Sequence, residues 1–150
     1  MKKILVIMAL VLTVSLVSAS GNFALGLRGG NFSGISARTL NSGRGTEFLL
    51  TAGNSGFKIA GLYESHFAAG DALGLTWFWG LGLHAGLSGT SFTTSEVSLG
   101  VDAIIGIEYS FESLINFPIS VSFDYKPAFD IIGGWGTNWA GIAGTIRYTF

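Results

Sequence analysis

Cysteine is absent from this chain, so neither a disulfide framework nor a thiolate metal site can exist. Charge is scarce as well. Asp, Glu, Lys and Arg make up 11% of the residues, against roughly 25% in an ordinary soluble domain. A surface so short of charge is hard to keep in water, which points to a non-aqueous solvent on one side. Long hydrophobic runs are also missing: after Ser20 no stretch approaches the ~18 continuous apolar residues of a membrane helix. Yet apolar residues make up 49% and the mean hydropathy is +0.54. A hydrophobic chain without a spanning helix leaves the closed barrel as the way to satisfy backbone hydrogen bonds in lipid. The formal net charge of −1 falls near −3 once Lys2 and Lys3 are set aside, and no basic patch suggests nucleic acid. At 150 residues the chain is one domain at most.

The first twenty residues read MKKILVIMALVLTVSLVSAS. Lys2 and Lys3 form a charged start, Ile4 to Val17 an apolar core, and Val17-Ser18-Ala19 a small-residue cleavage site. Fourteen residues are too few to span a bilayer, which takes ~20. Residues 1–19 are therefore expected to be a signal peptide, cut after Ala19 or Ser20, leaving 20–150 as the folded domain. With no Cys at the cut, a lipoprotein anchor is excluded.

What is present is strict alternation. In VSLGVDAIIGIEYSF, Val97, Leu99, Val101, Ala103, Ile105, Ile107, Tyr109 and Phe111 share one face; Ser98, Gly100, Asp102, Ile104, Gly106, Glu108 and Ser110 share the other. Fifteen residues in one register exceed an ordinary strand of about five or six, and suit a tilted strand that crosses a membrane and projects beyond it. The same period predicts eight strands, at 22–30, 33–40, 46–52, 56–67, 73–87, 97–111, 117–126 and 139–150. Gly- and Asn-rich turns separate them. An even strand number puts both ends of the domain on the periplasmic side. The outer loops are then GGNF, AGNSG, SGTSFTTSE and PAFDIIGGWGTN. The fold class is all-β, an eight-stranded antiparallel up-and-down transmembrane barrel. Aromatics support it as two girdles: Phe23, Phe67, Tyr109, Phe111, Phe117, Tyr148 and Phe150 near one end, and Phe32, Phe57, Phe92, Phe129, Trp135 and Trp139 near the other. Trp77 and Trp79 are expected deeper in the apolar band.

Parity sorts the charges inward. Arg28, Arg38, Lys58, Lys126 and Arg147 face Glu47, Glu64, Asp102, Glu108 and Asp124 as an ion-pair network in the lumen. The remaining charges (Arg44, Asp71, Glu96, Glu112 and Asp130) fall in turns or at strand ends. An eight-stranded interior is about wide enough for its own side chains, so these charges should pair. Inward glycines (Gly26, Gly74, Gly80, Gly82, Gly86, Gly100 and Gly106) leave room for the long cations. The expectation is a plugged polar core rather than an open pore.

Candidate chemical sites are weak. His66 and His84 face inward near carboxylates such as Glu64, but no third convergent group appears at a metal or general-base spacing, so they read as members of the lumen network. Asp102 and Glu108 lie ~20 Å apart along one strand, too far for a carboxylate pair. Gly80-Leu81-Gly82 with Gly86 does not fit GxGxxG. No catalytic, metal or cofactor residue is assigned, no cofactor is expected, and no enzyme activity is expected.

With the strands laid out, the chain resembles the small outer-membrane barrels of Gram-negative bacteria, in the size class of OmpX and the transmembrane domain of OmpA. The stretches that carry the likeness are GLYESHF, GLTWFWGLGLHAG, GVDAIIGIEYSF, ISVSFDYKPAF and the closing IRYTF. It is most similar to uncharacterised barrels of that kind. The resemblance implies export, insertion in the cell outer membrane among its lipids, and recognition of Ile146, Tyr148 and Phe150 by the barrel-assembly machinery. It supplies no enzymatic motif. Small barrels that modify lipid A are similar in size, but they carry Ser, His and an acid at the outer lipid-facing surface, and no outward His or acid is expected there in this chain.

Three functions follow: a structural or envelope-integrity and interaction barrel with a sealed lumen, a narrow channel for water, ions or small solutes, and a soluble exported barrel holding an apolar ligand. The third requires the Leu/Ile face inside. A candidate surface for a partner is the 127–138 loop, which carries Phe129, Ile131, Ile132 and Trp135.

Overall fold

The computed structural model describes residues 22–53, 56–88, 96–133, 136–139 and 141–150. The signal peptide expected at 1–19, most of the SGTSFTTSE loop with Phe92, and Trp135 lie outside the described residues.

Alternating sequence becomes alternating burial. The described residues form ten strands: β1 (Asn22–Gly30), β2 (Ser33–Asn41), β3 (Arg44–Gly53), β4 (Gly56–Ala68), β5 (Leu75–Ser88), β6 (Glu96–Ser110), β7 (Ile119–Tyr125), β8 (Ala128–Ile132), β9 (Gly136–Asn138) and β10 (Ile142–Thr149). Neighbours pair antiparallel, β1 with β10 (Leu27 opposite Ile146) and β5 with β6, which closes the sheet on itself. β7 and β8 both pair with β6 and together make one wall strand. β9 and β10 likewise make one, so the barrel has eight strand positions. We call the end with Asn22 and Thr149 the base and the opposite end the rim.

Local chemistry sets the turns. β2 and β3 join through Ser42-Gly43 at φ 51° and 78°, the positive-φ pair that a two-residue hairpin requires. At the base, one helical turn α1 (Glu112–Ile115) ends on Asn116 in the left-handed region, whose N–H donates to Glu112 O.

The last quarter of the chain corrects the expected loop at 127–138. Pro127 has no N–H to extend the ladder, so the strand is interrupted there; Lys126 N–H donates to Gly141 O at 2.8 Å and Ala103 N–H to Pro127 O at 3.1 Å. β6 runs 15 residues and leaves Leu99–Asp102 beyond the reach of β7, and β8 pairs with that segment instead. The register slips between Leu99 and Gly100. A bulge there lets Ile131 and Ile132, adjacent in sequence, both stay exposed, while Ala128 is buried and Asp130 half-buried. Gly74 also differs from expectation: it lies in the turn before β5 at φ 82°, not on the inner wall.

Outward residues are large and apolar nearly throughout: Leu27 is 73% exposed, Leu83 68% and Ile146 58%. Trp77 sits nearer the base than expected, stacked on Phe67 at 4.8 Å between centroids. Inside, Leu49, Ala60, Leu62, Phe78 and Ile104 form one apolar cluster against the β3–β6 wall.

Glycine makes this crowding possible. A Cβ at Gly106 would stand 2.6 Å from Phe78 Cζ and 2.7 Å from Asp124 Cβ, whereas one at Gly144 would meet only Ser122 O at 3.7 Å. Gly106→Ala is expected to lower stability by about 1–3 kcal/mol through overpacking. Gly144→Ala should change it by no more than ~0.5 kcal/mol. Urea midpoints of the two variants compare them, and equal midpoints would contradict the packing described.

Candidate functional site

Because strand parity is 2, each charged side chain on the inner face enters a space only a few side chains wide. Ionised groups removed from water must find opposite charges or hydrogen bonds there. The ten charged residues selected by parity all fall in described segments, and they sort into three groups along the barrel.

The group nearest the base centres on Arg147 of β10. Its guanidinium binds Glu47 on β3 through Nη2 and Glu108 Oε2 on β6 through Nη1 at 3.1 Å. It also donates from Nε to Ser36 Oγ (3.1 Å) on β2 and from Nη1 to Ser122 Oγ (2.6 Å) on β7. Ser36 in turn donates to Glu47. Arg38 grips Glu108 with two parallel bonds of 2.7 Å, a fork-on-fork geometry. Glu64 meets His66 Nε2 at 3.0 Å, and the His66 ring stacks on Phe78 at 4.8 Å. Arg147, Glu47 and Glu64 are all essentially buried.

Midway, Arg28 holds Asp124 in a second bidentate pair at 2.7 and 2.5 Å, with Thr145 Oγ1 at 3.3 Å from the same guanidinium. Near the rim, Lys126 Nζ stands 3.0 Å from Asp102 and Lys58 Nζ 3.9 Å from Asp130. His84 lies between the two acids, Nδ1 at 3.1 Å from Asp102 Oδ1 and Nε2 at 2.6 Å from Asp130 Oδ1.

Asp130 is the residue that sequence reasoning misplaced. It was assigned to a loop, but the strand resumes after Pro127. The signal was present as parity: with Ala128 inward, Asp130 follows two residues later. The partition of the apolar cluster from the ion pairs was not visible from alternation, because Leu49 and Leu62 occupy inner positions that period alone marks as polar. Asp102 and Glu108 take different partners, Asp102 toward the rim and Glu108 toward the base. Ile146, Tyr148 and Phe150 are exposed on the outer wall, with Tyr148 and Phe150 edge-to-face at 4.9 Å and Phe150 beside Phe23 at 6.0 Å.

Chemically, the arrangement pairs its charges internally. Ser36 and Ser122 are committed to Arg147, and Ser36 to Glu47 as well. Among the described residues no group of three or more His, Asp or Glu is placed to hold a metal ion. The base group gathers three acids, Glu47, Glu64 and Glu108, around Arg38 and Arg147. Glu64 is the acid with no arginine of its own.

Two substitutions separate these roles. Glu47→Gln takes from Arg147 the acid at its Nη2, leaves it only a share of the Glu108 that Arg38 already grips, and is expected to cost about 3–5 kcal/mol, the usual penalty for breaking a buried pair. Glu64→Gln keeps the side-chain shape and leaves every arginine pair in place, and should leave stability within about 1 kcal/mol of the parent. Equilibrium unfolding in urea checks both, and a Glu64→Gln loss as large as that of Glu47→Gln would refute the assignment.

Set against family models, curated proteins and solved structures, the chain matches none of them.

Proposed function

We propose that the chain is an integral outer-membrane β-barrel whose interior is filled by its own side chains, serving a structural or envelope-integrity role rather than transport or catalysis. One observation carries this reading: the polarity of the barrel is inverted relative to a water-soluble protein. Among the described residues, 16 buried residues are polar or charged and 8 are apolar. The outer wall meanwhile exposes Leu25, Leu27, Ile59, Leu81, Leu83, Ile105, Ile107, Phe123 and Ile146. An apolar belt that encircles the whole wall is far larger than the patches soluble monomers tolerate. A soluble barrel holding an apolar ligand needs the opposite arrangement, with Leu and Ile inside.

The dimensions fit. Strands β4, β5 and β6 hold 13, 14 and 15 residues. At ~3.3 Å per residue and a tilt of about 45° they rise roughly 30–35 Å, enough for the ~25 Å apolar band of an outer-membrane barrel. Aromatic pairs at the base (Phe23 with Phe150, Phe67 with Trp77, Tyr109 with Phe111) suit a membrane interface. Phe129, Ile131 and Ile132 continue the outward apolar surface on β8.

Closure of the interior is supported by the packing of Arg147, Phe78, Leu49 and Leu62, all at or below 2% exposure, inside the barrel. Catalysis has no support in the serine and histidine placement. The signal peptide expected at 1–19 accounts for export.

Fractionation of cells expressing the full chain should place the protein in the outer membrane, with faster gel migration before boiling than after. Recovery in the soluble periplasm would end the membrane reading. In planar bilayers the reconstituted barrel should show no stable single-channel steps. Steps in the parent protein that change size when Arg147 or Glu108 is neutralised would replace the sealed interior with a narrow channel.

A further inference from the structure

At the rim, a small recess of about 30 Å³ opens between β1, the β3–β4 wall and the interruption at Lys126–Pro127. Space for one water takes about 10–15 Å³, so two or three waters fit, close to the bulk of one small tetrahedral oxyanion. Its lining includes Arg28, Lys58 and Lys126 together with Phe32, Ala128 and Ile142, and no carboxylate. The matching acids stand behind the cations rather than in the recess: Asp124 behind Arg28, Asp102 behind Lys126 and Asp130 beyond Lys58.

Both ring nitrogens of His84 lie on carboxylate oxygens, 3.1 Å from Asp102 and 2.6 Å from Asp130, so the lysines share these two acids with the imidazole. Both lysines are still partly exposed, their side chains 18% (Lys58) and 16% (Lys126) open to solvent. Lys58 is the least committed of them. Its ion pair, at 3.9 Å, is the longest among the described residues, and its Nζ sits 5.4 Å from the centroid of the Phe32 ring.

We propose that this recess is a binding site for a tetrahedral oxyanion of the phosphate class, held by Lys58 and Lys126 with Arg28 behind them. A lysine ammonium has three donors and no acceptor, and two lysines lining one recess suit an anion with several oxygens. Phe32, Ala128 and Ile142 would border the ester side of a phosphate monoester. The same chemistry is offered by free inorganic phosphate and by the phosphate headgroup of a lipid. The proposal goes beyond the membrane reading and does not rest on it, since binding is measured in micelles wherever the protein resides.

The test is titration of the folded protein, in phosphate-free maltoside micelles, with inorganic phosphate and separately with a short-chain phosphatidic acid. Saturable binding of either is expected. Phosphate binding assigns the free ion as a ligand, and binding of the lipid alone assigns a headgroup. Lys58→Gln combined with Lys126→Gln should weaken the affinity at least tenfold, while the paired Lys→Arg variant should hold it within about threefold. No saturable binding of either probe would overturn the proposal. So would unchanged affinity in the double Gln variant, or chloride and acetate binding as tightly as phosphate. Heat-modifiable migration reports whether each variant is folded. If the double variant is not, Lys58→Gln alone decides: it breaks only the weakest ion pair, and an affinity drop smaller than about threefold would overturn the site.

Discussion

The Arg147 guanidinium is the point on which the interior depends. It sits on β10 and reaches Ser36 of β2, Glu47 of β3, Glu108 of β6 and Ser122 of β7, so one planar group ties five strands across the barrel. Arginine suits this place because its donors point outward in a fixed fork and its charge cannot be lost. Lysine would offer a single point charge and leave some of these acceptors unpaired. Space for the arm comes from Gly26 on the neighbouring strand, where a Cβ would stand 2.6 Å from Arg147 Cγ. The glycine and the arginine are parts of one fitting, side by side in the β1–β10 ladder.

Around that node the barrel has two kinds of filling. Ion pairs occupy the base, the β1–β7–β10 side and the rim, while Leu49, Leu62, Phe78 and Ile104 fill the β3–β6 side. Apolar packing and charge pairing meet at His66, whose ring stacks on Phe78 and whose Nε2 meets Glu64. Mixed filling of this kind limits how many charges must be neutralised in a confined space. It also divides the charges into separate groups at the base, midway and at the rim instead of one chain through the barrel.

Much of the fold was legible because a two-residue period has a single geometric meaning. VSLGVDAIIGIEYSF could be nothing but a long strand, and its inner set is the one observed, Ser98 to Glu108. Arg28, Arg38, Glu47, Glu64 and Arg147 face inward for the same reason. Pairing was not legible. Parity says that Arg28 is inside but not that Asp124, 96 residues away, is its partner; that depends on strand stagger, which alternation leaves open. The stretch after Pro127 was read as a loop because proline and paired glycines punctuate it, and a bulge then breaks the alternation at Ile131–Ile132. Asp130 disappeared from the inner set with it.

The ion pairs have a consequence for how such a barrel can come together. Arg28 and Asp124 are 96 residues apart, Arg38 and Glu108 70, and Arg147 and Glu47 100. None of these pairs joins neighbours in a hairpin; the β2–β3 hairpin sets Arg38 opposite Glu47, but Arg28 still lacks Asp124 and Glu47 still lacks Arg147 until the last strands arrive. Those groups lose their hydration only when the far strands swing round to meet them. Charge neutralisation and ring closure therefore become the same event, and a half-built sheet gains nothing by burying its polar face early. The network works as a completion signal written in electrostatics: it rewards the closed ring and leaves every open intermediate wet on one side.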